Sequence, residues 1–235
     1  MAGLPTLSAP ELEIKLHSVD KPVKYRPFLV KEEKILLIAL ESDEPDQMLK
    51  AIKQILKNCC LSSNVKVDSL PLFDIEYWFL NIRGSSVGDI LNLNLKCNKC
   101  EERSPVDVNL RDVEIQHHEG HTNLIQLTDT ITVEMSYPTL NTMWSVEKKQ
   151  TTESMFDMIS TNVKQIIDGD TIYDTKLYSK NDLTTFLESL SPTQFGKLTE
   201  FFGTMPYLAH TIEFDCKGCG QKNLTVVEGL QNFFT

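Results

Sequence analysis

Positive charge is scarce in this chain. Lys and Arg number 23 against 33 Asp and Glu, a net charge of −10, and the basic residues nowhere gather into a run. A protein that holds nucleic acid by neutralising phosphates needs such a cluster, so the balance points away from DNA or RNA and toward a protein partner. Long apolar stretches are missing too. The longest, Ile35 to Leu40, falls far short of the roughly 20 residues that span a bilayer. The opening Met1-Ala-Gly-Leu-Pro-Thr-Leu-Ser lacks the charged start and apolar middle of a secretory signal. Neither export nor a membrane partner is expected. Glycine is sparse, and Arg83-Gly-Ser-Ser-Val-Gly88 lacks the lysine of a phosphate-binding loop. There is no Gly-x-Ser-x-Gly elbow. Asp74 and Glu76 lie two positions apart in an apolar helical pattern, on different faces, which is the wrong spacing for paired acid–base carboxylates. Nothing in this inventory bids for an enzyme.

What is present is an ordinary globular composition, 41% hydrophobic and 24% charged, with six cysteines, four of them in two Cys-x-x-Cys knuckles. The knuckles are Cys97–Cys100 and Cys216–Cys219. Alternating segments flank each one: 89–96 and 105–110 around the first, 210–214 and 223–227 around the second. Period-two alternation on both sides of a tight polar turn predicts a β-hairpin. Two hairpin tips, each offering two thiolates, complete a tetrahedral zinc shell. Cys97, Cys100, Cys216 and Cys219 are therefore the expected ligands of one structural Zn2+, closed and without a vacancy for substrate. A thioredoxin-like redox motif would have to open a helix, whereas Glu101-Glu-Arg-Ser-Pro105 leads into another strand. Asn223-Leu-Thr matches a glycosylation pattern that has no meaning without export.

The expected fold class is α+β, with antiparallel hairpins forming a split zinc-ribbon-like unit, an N-terminal helical layer, and a helical insertion between the knuckles. Residues 12–16 and 23–28 alternate as an opening hairpin. Helices are expected over 30–41, apolar nearly all round and so buried between layers, then over 45–59, with Pro45 in the first turn, and over 72–82, closed by Gly84. Cys59 and Cys60 are expected to pack as small apolar residues. His117-His-Glu-Gly-His121 does not have the metalloprotease order, and Gly120 argues for a loop rather than a metal site. A hairpin is expected around 128–130, a helix over 147–167, an ambiguous segment at 172–178, and short helices at 183–190 and 193–202, capped by Asn181-Asp182 and Ser191-Pro192. Residues 1–140 and 206–235 would form the body and 141–205 the insertion.

Several of these stretches resemble the baseplate hub and hub assembly proteins of T-even-type contractile-tailed bacteriophages. They are Tyr25-Arg-Pro-Phe-Leu-Val-Lys-Glu-Glu-Lys-Ile-Leu-Leu37, Ile52-Lys-Gln-Ile-Leu-Lys-Asn58, Phe73-Asp-Ile-Glu-Tyr-Trp-Phe-Leu-Asn-Ile-Arg-Gly-Ser-Ser-Val-Gly88 and the first cysteine hairpin. The likeness is specific over residues 4–140 and general beyond. It implies a non-enzymatic hub component or assembly factor that meets other baseplate hub proteins, in the host cytoplasm during assembly or in the tail baseplate of the virion. A zinc-ribbon regulator of transcription is the alternative, opposed by the net charge; a redox or metal-dependent enzyme stands third.

Overall fold

Alternation and burial agree at the start of the chain. The computed structural model describes residues 7–42, 44–142 and 152–233. Strand β1 (Leu12–Ile14) pairs antiparallel with β2 (Val23–Tyr25), and Ile14, Val23 and Tyr25 turn inward. Helix α1 (Val30–Glu41) packs on α2 (Pro45–Cys59), whose end is stitched to β2 by Arg26 N–H to Cys59 O (3.0 Å) and Leu61 N–H to Lys24 O (2.9 Å). Cys59 is buried there, and burial pushes its thiol up to about 11.

The expectation that α1 is buried all round is overturned. It buries Glu32, Leu36 and Ala39 and leaves Leu37 and Ile38 half exposed, at 51% and 54%. The inner face is chosen by a polar anchor that hydropathy does not register. Glu32 accepts from Arg26 Nη2 (3.0 Å) and from Leu29 N–H (2.9 Å). Burial alone would push its carboxyl up, but the Arg26 guanidinium and that N–H outweigh burial and hold it below the usual range.

Helix α3 (Leu72–Val87) buries Phe73, Ile75, Trp78, Phe79, Leu80 and Ile82. Each contributes about 1.5–3 kcal/mol when fully removed from water. It runs a turn past the expected stop. Gly84 is helical, with Asp89 Oδ1 only 2.8 Å from where a Cβ would stand, and Gly88 at φ 111° takes the closing position instead. The α3 carboxylates also have uses that their spacing hid. Asp74 is buried and accepts from His17 N–H (2.7 Å), Ser18 N–H (2.9 Å) and the Ser18 hydroxyl, while Glu76 accepts from Leu230 N–H (2.9 Å). Strand β3 (Ile90–Lys96) then pairs with β4 (Arg103–Asn109), and β5 (Glu114–Gln116) follows.

The chain divides into two compact units, residues 1–115 with 207–235, and residues 116–206. The second unit begins earlier than the expected 141, because strands β6 (Leu124–Gln126) and β7 (Ile131–Met135) belong to its sheet. Nor is it purely helical. The expected 147–167 helix falls partly on residues outside those described; its described part, α4 (Thr152–Asn162), gives way to strand β8 (Val163–Asp168). Val163, Ile166 and Ile167 fit a strand as well as a helix, and pairing with β7 on one side and β9 (Thr171–Asp174) on the other decides it. Gly169-Asp170 makes the tight β8–β9 turn, with Gly169 at φ 55°. Helix α5 (Lys180–Glu188) is capped by Ser179 with Asp182, not by Asn181, and α6 (Pro192–Thr204) by Ser191 with Gln194. Leu127, Val133, Met135, Ile159, Val163, Leu187, Leu198 and Phe201 form the core.

The chain re-enters the first unit as β10 (Tyr207–Asp215) and β11 (Lys222–Glu228), an antiparallel pair that forms a three-stranded sheet in the order β11-β10-β5. The architecture is α+β with antiparallel sheets.

Candidate metal centre

Each knuckle is built by the register of its own hairpin. Lys96, just before Cys97, lies opposite Arg103, and Asp215, just before Cys216, lies opposite Lys222. The turns that follow are closed by the same bonds. Cys97 N–H donates to Glu102 O (2.9 Å) and Cys216 N–H to Gln221 O (2.8 Å); Glu101 N–H donates to Cys97 O (3.1 Å) and Gly220 N–H to Cys216 O (2.8 Å). The fourth residue after the first cysteine must adopt positive φ to make this turn. Gly220 does so at 68° without strain, and Glu101 does so at 64° as the single described non-glycine residue with positive φ.

The four sulfurs converge although the sequence separates them by more than a hundred positions. Cys97 Sγ lies 3.8 Å from Cys219 Sγ, and Cys100 Sγ lies 3.5 Å from Cys216 Sγ. All four lie within 4.8 Å of one another. A tetrahedron with metal–sulfur bonds of about 2.3 Å has edges of about 3.8 Å, so the set fits one tetrahedral metal ion. Cys97 and Cys216 are buried, Cys100 and Cys219 exposed.

The backbone is arranged to hold sulfur as thiolate. The N–H groups of Cys100 and Lys99 aim at Cys97 Sγ and lower its thiol to about 6; those of Cys219 and Gly218 lower Cys216 in the same way. Cys100 also receives an N–H, from Glu102, but the adjoining sulfurs of Cys219 and Cys216 outweigh it and push the thiol up to about 12. As thiolates, four sulfurs this close would repel one another, and a divalent cation between them would remove the repulsion. That donor set fits a soft or borderline metal.

A reciprocal clamp, which the knuckle spacing alone does not reveal, joins the tips. Asn98 N–H donates to Asn223 Oδ1 (2.9 Å), and Lys217 N–H donates to Ser104 Oγ (2.9 Å). Ser104 and Asn223 are both the seventh residue after the first cysteine of their knuckles, and both are buried, at 2% and 5% exposure. The signal was present in the alternation: each occupies an inward position of its strand, followed on the same face by Val108 or Val227, where an apolar residue is the norm. Gly218 contributes shape. A Cβ there would stand 3.1 Å from Glu102 Cγ of the opposite knuckle.

His121 is structural. Its ring nitrogens lie 3.0 Å from Thr204 Oγ1 and 3.2 Å from the Tyr137 hydroxyl, and its ring packs against Tyr137 and Phe201. Burial, with His118 and His117 nearby, lowers its pKa. Among the described residues the four cysteines are the one cluster suited to a metal, and no helix is long and apolar enough to cross a membrane.

A family model described as T4 bacteriophage base plate protein matches residues 9–235, well beyond the stretches that carried the resemblance in the sequence. No curated protein and no solved structure matches.

Proposed function

We propose, from the premise that the chain belongs to the T4 bacteriophage base plate protein family, that it acts without enzymatic chemistry as a component or assembly factor of the baseplate hub. It works through contacts with other hub proteins, in the host cytoplasm during assembly and in the tail baseplate. The family match is the observation that carries this role. The ion we assign to the four cysteines is structural Zn2+, which makes the two hairpins one split zinc ribbon. Four protein ligands fill a tetrahedral shell and leave no position for substrate, so the metal's work is to hold β3–β4 against β10–β11 and keep a rigid face for docking. Recovery of the tagged chain from infected cells, read by mass spectrometry, is the test. Hub proteins enriched over other tail proteins support the role; polymerase or DNA recovered in their place overturns it.

One observation favours the second reading, a zinc-ribbon regulator bound to nucleic acid. The knuckles bring together Lys96, Lys99, Arg103, Lys217 and Lys222, all exposed, from two distant segments. Against it, Lys96 pairs with Glu101 at 3.2 Å, Glu102 and Asp215 sit among these residues, and the whole chain carries −10. DNA binding that weakens steeply between low and moderate salt would establish it.

A further inference from the structure

The exposed face of α1 has a pattern of its own. At 3.6 residues per turn, Val30, Lys34, Leu37, Ile38 and Glu41 fall within about 100° of arc, opposite the inward Glu32, Leu36 and Ala39. All five are exposed, Val30 at 78%. Leu37 and Ile38 form the middle of the stripe. Lys34 stands one turn toward the N-terminus and Glu41 one turn toward the C-terminus. Among the described residues neither Lys34 nor Glu41 has an ion-pair partner, although Lys31 and Glu32 beside them do.

This order is self-complementary. We infer that α1 docks onto α1 of a second copy of this chain, antiparallel, about a two-fold axis between Leu37 and Ile38. In that arrangement Lys34 of each copy lies opposite Glu41 of the other, and the two Leu37–Ile38 pairs close over one another. The interface is isologous, and a single ion pair is therefore made twice. A parallel arrangement would set Lys34 against Lys34 and Glu41 against Glu41, so charge selects the antiparallel one. The inference does not depend on the hub role. It also gives a reason for two exposed branched side chains at the centre of a helix whose other face is fully engaged.

The size of the contact sets its strength. A helix of 12 residues is about 18 Å long, and one such pair covers less than the roughly 800 Å² per partner of a standard stable interface. The dimer is therefore reversible, with dissociation on the order of tens to hundreds of micromolar, and it weakens moderately with salt.

Sedimentation equilibrium of the full chain tests this, with far-UV circular dichroism confirming that each variant is folded. Wild type should show a reversible monomer–dimer equilibrium. Lys34→Glu turns both ion pairs into Glu–Glu contacts and Glu41→Lys turns both into Lys–Lys contacts, and each should weaken self-association about tenfold or more. A one-to-one mixture of the two variants should form a heterodimer at least as tight as wild type, because every facing pair is then opposite in sign. Wild type that stays monomeric at the highest attainable concentration overturns the inference. So does a dimer indifferent to either reversal, or a mixture that fails to associate.

Discussion

The first unit is assembled from two stretches of chain, residues 1–115 and 207–235, whereas the second is one unbroken stretch, 116–206. Both bury an apolar core, but the polar bonds of the first span longer stretches of chain. In the first, directional polar bonds recur where distant segments meet: Asp74 on the backbone of His17 and Ser18, Glu76 on Leu230, the Ser104–Asn223 clamp, and the four sulfurs. In the second, an apolar cluster centred on Val133, Ile159, Leu198 and Phe201 is surrounded by hairpins and helices that follow one another closely. Loop-closure entropy grows with the length of chain enclosed. A unit interrupted by ninety-odd residues must offset that entropy and also specify which strand meets which. Apolar contact alone does the first; hydrogen bonds do both, as would a metal held by the four cysteines.

The largest test of this contrast removes a ligand. If the four cysteines hold the proposed ion, Cys97→Ser or Cys219→Ser should abolish metal binding and lower stability by several kcal/mol, because structural metal binding is folding free energy. Hydrogen exchange should rise through β3, β4, β10 and β11 while β7 and β8 keep their protection. Unchanged melting in both variants would count against a metal-held first unit. The complementary experiment is Phe201→Ala, expected to cost about 3–5 kcal/mol in the second unit with metal content undiminished. Parallel loss of metal would mean that the two units unfold as one.

A smaller effect is expected at Asp74→Ala, which leaves the N–H groups of His17 and Ser18 without their acceptor, at about 2–3 kcal/mol. The residues around β1 should lose exchange protection first; loss confined to α3 would place the effect elsewhere. The smallest is a pH effect at Glu32. Its carboxyl is held below the usual range in the fold, so its pairing with Arg26 contributes fully above the ordinary Glu value of about 4.3. That contribution is lost as pH falls through the lowered folded value. The stability gap between wild type and Glu32→Gln should be constant from neutral pH to about 5 and narrow below about 4; a gap that widens on acidification contradicts the assignment.

Much of the architecture is legible in the sequence. The helices at 30–41 and 45–59, the two cysteine hairpins and the 124–135 hairpin lie where periodicity, Pro45 and the polar turns put them, and the four cysteines that spacing singled out do converge. These are features that chain neighbours decide. Where the expectation failed, two local solutions were nearly equal and a remote partner chose between them. Val163–Asp168 suits helix or strand until β7 and β9 flank it. Gly84 and Gly88 can each close a helix, but the choice there is local, with Gly88 at positive φ and Asp89 too close to Gly84 for a side chain at that position. Asp74 is a poor half of a catalytic pair and a good acceptor for a backbone turn 56 and 57 positions away.

The order of residues alone determined most of the elements, the two knuckles and the scarcity of positive charge, because propensity, turn chemistry and composition act within a few bonds. Only the folded chain decided that Ser104 and Asn223 answer each other across the knuckles, that Glu32 rather than Leu37 faces inward, and that the inserted unit carries a four-stranded sheet. The clamp and the sheet rest on partners far away in sequence, and Glu32 on Arg26 six positions back; the energy of such a contact exists only once the chain has brought both halves together.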